Sequence, residues 1–278
     1  EISACLVGSE MCIRDRISIP TNLCPMPKIK LLAATESFIA FSTERGPAAT
    51  VADPYSGFNA CHYTGDSEEH IAACCAELAD QLGISAERFV IPRQTHSDRV
   101  AVIDSVPGRG ETVEGIDALV TKMCDVALCI NTADCVPVLL HDSEAGVAAA
   151  AHCGWRGTVN DLLPKTLAAM ERLGAHPKNI RAYMGPSICR DCFEVGEDVA
   201  SVFREAFPQE EGIVIDGAGK PHVDLGRAIA CRLMRGGVRM ENITKPSECS
   251  RCNPQRFFSA RALGIESGRT LSAVMMRL

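Results

Sequence analysis

The stretch "NTADCVPVLL", residues 131–140, sets Asn131, Asp134 and Cys135 directly before an apolar run. That run is short, β-branched at its start and bounded by polar residues, which suits a buried strand. The pattern recurs on both sides, in "FVIP" (89–92), "RVAVID" (99–104), "DALVT" (117–121), "VALCI" (126–130) and "GVAAAA" (146–151). A chain with many strands is therefore expected. Cys135 alone would be unremarkable, because a free cysteine packs like a small hydrophobe. Asp134 is harder to place, since a carboxylate beside a core needs a partner.

Helices are expected around these strands. Asp66 with Glu69 resembles a capping box, and Ile71, Cys74, Cys75, Leu78 and Leu82 recur at helical spacing until Gly83. Further helices are predicted over about 158–173, 196–207 and 224–235, with Pro164 implying a kink or a late start in the first. Residues 1–27 lack periodicity and carry three prolines in "PTNLCPMP", so a loose leader, native or not, is expected there. From residue 28 to 278 no repeat, low-complexity tract or linker interrupts the chain. It reads as one α+β domain.

Composition narrows the function. Apolar residues at 46% and charged residues at 23% fit an ordinary globular protein. The net charge of -7 argues against general binding to nucleic acid or anionic membrane, and no apolar run reaches the roughly 18 residues of a membrane helix. Fifteen cysteines without a visible secretory signal point to a cytoplasmic chain whose thiols are core residues, metal ligands or nucleophiles. Cys74, Cys75 and Cys129 are expected in the core.

Three segments put metal-capable groups where strands are predicted to end. "PRQTHSDRV" supplies His96, "NTADCVPVLL" supplies Cys135, and "AAAHCGWRGT" supplies His152. Two imidazoles and a thiolate make a set suited to zinc with an open fourth position, and copper would also accept it. The remaining histidines, His62, His70, His141, His176 and His222, are expected to be structural. Gly154 and Gly157 flank Trp155 and Arg156 and would permit a tight loop beside a ligand.

Six motifs in one order, "RQTHSDRV", "GIDALVT", "NTADCVPVLL", "AHCGWRGT", "MGPSICRDCFEVGEDV" and "CNPQRFFSARA", carry a resemblance. Over residues 35–278 the chain resembles the laccase-domain family, also called polyphenol oxidase or peptidoglycan editing factor and regarded as purine nucleoside phosphorylases. The resemblance implies a single domain of mixed β-sheets in an α/β/β/α layered arrangement. It implies a metal site at His96, Cys135 and His152. It also implies phosphorolysis of adenosine, inosine and S-methyl-5'-thioadenosine, with deamination of adenosine. Copper oxidation is discounted, because a laccase needs several coppers and the sequence offers one three-ligand set. Cys189 departs from the family pattern, which has glycine after "GPSI".

The chemistry then assigns roles. An open zinc site lowers the pKa of bound water toward ~7 and polarises substrate. Asp134, the nearest carboxylate in sequence, is expected to transfer protons there or to orient a ligand histidine, with the water, that histidine or Arg156 as its partner. Arg156 is the first choice for gripping inorganic phosphate, the co-substrate, and Arg93 the second. Gln94 and Asn131 are expected to read the purine edge.

Two rivals remain at this level. One is a cysteine hydrolase with Cys135 as nucleophile; the other is a zinc-stabilised module that binds cell-wall precursors. The pairs Cys189/Cys192 and Cys249/Cys252 lie much further apart than the ~15–20 residues between the halves of a zinc ribbon. With fifteen cysteines in the chain, chance pairing is the expectation for them.

Overall fold

The computed structural model describes residues 28–106, 113–246 and 248–278; the leader expected over 1–27 lies outside the described residues. The chain opens with β1 (Lys28–Ala34), β2 (Phe38–Glu44) and α1 (Glu68–Leu82), then β3 (Phe89–Val90), β4 (Val100–Ile103) and β5 (Ala118–Thr121). Next come β6 (Ala127–Thr132), β7 (Val136–Asp142), β8 (Val147–Cys153), α2 (Trp155–Val159), α3 (Leu162–Arg172) and β9 (Arg181–Met184). Then follow α4 (Glu197–Ala206), β10 (Val214–Ile215), β11 (His222–Val223) and α5 (Leu225–Arg235). The last elements are β12 (Ile243–Thr244), α6 (Ala260–Leu263) and β13 (Thr270–Met276).

Two mixed sheets form, one of order β1-β2-β13-β6-β3 and one of order β12-β9-β7-β8-β5-β4; β10 and β11 make a separate hairpin-like pair. Alternation along the strands shows why their sequences are apolar throughout. In β6, Leu128 and Ile130 pack into the space between the sheets, while Ala127 and Cys129 pack toward α1 with Cys74 and Leu78. In β7, Leu139 faces the other sheet, whereas Val136, Val138 and Leu140 face a helical layer containing Leu167, Phe203 and Ile229. A strand covered on both faces cannot show a polar face. Three core layers thus separate α1, two sheets and the α3/α4/α5 layer, which is the expected α/β/β/α arrangement in a single α+β domain.

Local signals explain most boundaries. Ser67, not Asp66, caps α1 by accepting the His70 N–H, and Gly83 ends it at φ 71. Asp66 is drawn away to Asn59 and His70. The helix expected over 158–173 is two helices that break at Asn160 and Asp161, so Pro164 falls in the first turn of α3, where its missing N–H is harmless. Among the described residues no helix is long and apolar enough to cross a membrane.

Candidate metal centre

The β7–β8 pair builds one side of the site. Its register sets Val136 opposite Cys153 and Pro137 opposite His152, so Cys135 and His152 emerge at the same end of adjacent strands. The loop between β3 and β4 brings His96 over them. Ligand atoms of His96, Cys135 and His152 all lie within 4.8 Å of one another, with Cys135 Sγ 3.8 Å from His96 Nε2. An ion bonded tetrahedrally to N and S donors holds them about 3.3–3.8 Å apart, so the set needs little adjustment to close on one. His152 is buried and His96 exposed, which leaves the solvent side of such an ion open.

Asp117 organises this arrangement, and reading the sequence did not single it out. It precedes β5 and is fully buried. Because Ala118 pairs with Ala151, Asp117 lies beside His152; its carbonyl accepts the His152 N–H at 2.7 Å and its Oδ1 meets His152 Nδ1 at 2.8 Å. The same carboxylate accepts the backbone N–H of Thr95, His96 and Ser97 and the Ser97 hydroxyl. One side chain therefore aims His152 Nε2 at the centre and wraps the His96 loop, where His96 takes a φ of 60°.

Charge follows the same contacts. Burial raises the Asp117 carboxyl, but hydrogen bonds from His152 and Ser97 outweigh it and hold the group at about 2. Burial also opposes ionisation of Cys135, yet the charge of His152 and bonds from His152 and His96 bring the thiol down to about 6. His152 is penalised by burial and raised to about 9 by Cys135 and Asp117. The same contacts thus favour the charged forms of both Cys135 and His152.

The opening question has a structural answer. Asp134 adopts a φ of 84°, the bend needed to turn neighbouring residues apart before β7. Its carboxylate accepts the Ser250 hydroxyl and the Arg261 N–H, each at 2.7 Å, and its carbonyl accepts the Ile188 N–H at 2.9 Å. Of the expected partners, neither a ligand histidine nor Arg156 bonds this carboxylate among the described residues, and the carboxylate on a ligand histidine is Asp117. Gln94 is also held by the protein itself. Its amide bonds both the N–H and the carbonyl of Asn131 and takes the Tyr63 hydroxyl, which leaves one amide N–H unused.

Asn131 is buried in β6, and its amide lies against Tyr63 but makes no hydrogen bond of acceptable geometry. Arg156 is exposed on α2, its guanidinium 4.4 Å from the centroid of the Trp155 ring, with no ion pair among the described residues. Arg93 is also exposed and bridges to Glu114 through its backbone. The other histidines lie elsewhere: His70 bonds Asp66, His141 stacks on Phe38, and His222 bonds the Arg190 carbonyl.

Gly154 seals the floor. A Cβ there would stand 2.9 Å from Cys135 Sγ and 3.0 Å from His96 Cδ2. Gly154→Ala is therefore expected to displace one ligand and to lower metal-dependent turnover by on the order of 10²-fold, the scale of an ångström's misplacement. Zinc content and rate measured on one preparation check this; unchanged values for both would show that the contact is not tight.

The family described as multi-copper polyphenol oxidoreductase laccase matches residues 39–277. Adenosine deaminase RL5, from an unknown prokaryotic organism, is 43% identical over 257 residues, covering 90% of this chain and 98% of its own length. A purine nucleoside phosphorylase of Bacteroides thetaiotaomicron is 38% identical over 231 residues, 80% of this chain and 86% of that protein. Among solved structures, YlmD from Geobacillus stearothermophilus superposes with a TM-score of 0.82 at 26% identity, covering 87% of this chain and 93% of that one.

Proposed function

The chain belongs to the multi-copper polyphenol oxidoreductase laccase family, and we propose that it is a metal-dependent purine nucleoside phosphorylase that also deaminates adenosine. The observation that carries this reading is the convergence of His96, Cys135 and His152 in front of Asp117, in a chain whose relatives bear those two activities in their names. Adenosine, inosine and S-methyl-5'-thioadenosine are the substrates, with inorganic phosphate as co-substrate.

The donor set fits zinc, with copper the alternative. Once bound, the ion would act as a Lewis acid toward a substrate oxygen or nitrogen. The protein's own residues do the rest. Asp117 keeps the His152 proton on Nδ1, leaving Nε2 as the donor facing the centre. Arg156, stacked on Trp155 and without an ion pair among the described residues, grips phosphate through its planar fork. Asp134 fixes the bend that aims Cys135. Asn131 keeps an unused donor and acceptor, the complement of an adenine edge.

Arg156 separates the two reactions, because only phosphorolysis brings phosphate into the site. Arg156→Ala is expected to lower adenine formation by about 10²-fold, the order of one lost electrostatic contact to a reacting group, while inosine formation changes little. Steady-state assays on adenosine, reading adenine and inosine separately, decide it; equal losses would assign Arg156 to the ribose or to structure. The rival cysteine hydrolase draws on the thiolate beside His152. Alkylation distinguishes them: Cys135 should react quickly in chelator-treated protein and slowly once zinc is restored, whereas a free nucleophile would react equally in both.

A further inference from the structure

The loops after β9 and β12 hold a second cluster that the reactions above do not use. Cys189 and Cys192 lie in the first loop, and Cys249 and Cys252 in the second. Sequence separation made these pairs look accidental, but the fold closes the gap. β12 pairs parallel with β9, Ile243 with Ala182 and Thr244 with Tyr183, so both strands leave the sheet at the same edge. The pairing continues into the loops, where Ser187 bridges Cys249 in parallel and Ser250 N–H donates to the Ser187 carbonyl at 3.1 Å.

The four sulfurs lie within 4.8 Å of one another, and Cys192 Sγ is 3.5 Å from Cys252 Sγ. Four thiolates at about 2.3 Å from a tetrahedral zinc are about 3.8 Å apart, so the observed cluster brackets that geometry. Each pair has the two-residue spacing typical of zinc knuckles, and each folds into a turn: Cys192 N–H donates to the Cys189 carbonyl at 3.0 Å and Asn253 N–H to the Cys249 carbonyl at 3.1 Å. A backbone donor already meets one sulfur, from Cys189 N–H to Cys249 Sγ at 3.2 Å. Such donors to thiolate are what a closed structural site uses to support its ligands.

We propose that Cys189, Cys192, Cys249 and Cys252 form a structural tetrathiolate zinc site, separate from the His-Cys-His centre. Four protein ligands leave no open position, so this ion does no chemistry on substrate. Its role is mechanical. Ser250, between Cys249 and Cys252, donates to the Asp134 carboxylate, and Ile188, beside Cys189, donates to the Asp134 carbonyl. Zinc would fasten together the two loops that hold Asp134, and through it the bend before Cys135.

The inference does not depend on the nucleoside reading. Zinc reconstitution of the reduced full-length chain is expected to load two equivalents per chain, Cys135→Ala to retain one, and Cys192→Ser/Cys252→Ser to retain one. X-ray absorption on zinc-loaded Cys135→Ala should show sulfur ligands only, near 2.3 Å. That measurement stands even where the double variant does not fold. The proposal is overturned by reduced Cys135→Ala protein that takes up no zinc, or by one whose bound zinc has nitrogen or oxygen ligands.

Discussion

Asp117→Ala is expected to weaken metal binding at the His-Cys-His centre by about 10–100-fold, the usual cost of losing the group that orients a ligand histidine. The residue's contacts argue for the upper end. Its loss strips acceptors from His152 Nδ1, three consecutive backbone N–H groups and the Ser97 hydroxyl. Each donor left buried and unpaired costs about 1–3 kcal/mol, so the melting temperature of the metal-free protein should fall as well. Asp117→Asn should fare little better, since it presents an NH₂ where backbone N–H groups that can only donate converge. Acid titration adds a signed expectation. Hydrogen bonds hold Asp117 at about 2, below the ~3.9 of an unfolded aspartate. Its stabilisation is therefore complete above about pH 4 and lost as the pH falls toward 2, where wild type and variant should converge. Zinc affinity by chelator competition and melting curves test both parts. A variant with unchanged affinity would show that Asp117 merely fills space.

Cys135→Ala should have the largest effect on activity. Removing the only thiolate of the set leaves two imidazoles, too few to hold an ion in competition with solvent. Phosphorolysis and deamination should fall together, because the proposed mechanism has both draw on the same Lewis acid. That contribution is several kcal/mol, which corresponds to a loss on the order of 10²-fold or more. Circular dichroism would establish that the variant is folded. Full activity in a variant with no metal at this centre would remove the centre from the mechanism.

Much of this architecture could be read from residues. The runs around 126–151 became β6, β7 and β8 because they are apolar on both faces, and His96, Cys135 and His152 stood out by lying where such runs stop. The strands β1, β2, β9 and β13 were not foreseen. β2 and β13 join the ends of the chain, and pairing over that distance leaves no local signal. Ser42 and Ser272 also interrupt their apolar pattern, and only their mutual hydrogen bond at 2.7 Å makes them compatible with burial.

Asp117 was overlooked for a similar reason: its importance depends on the β5–β8 register, not on neighbours in sequence. A charged residue directly before a buried strand, at the end where the other groups converge, was the available signal. Asp134 adjoins Cys135 in sequence, but its positive φ and its bonds to Ser250 and Arg261 depend on loops far along the chain. The four-cysteine cluster was hidden by chain separation, which says nothing once two parallel strands exit side by side.

The most direct test of the central claim uses one preparation, stripped by chelator and then reloaded, with adenosine as substrate in the presence and absence of phosphate. The account predicts negligible turnover when stripped. After zinc is restored, adenine and ribose 1-phosphate should form only with phosphate, and inosine and ammonia should form without it. Rates that are the same before and after reloading, or no product from adenosine in any state, would contradict it.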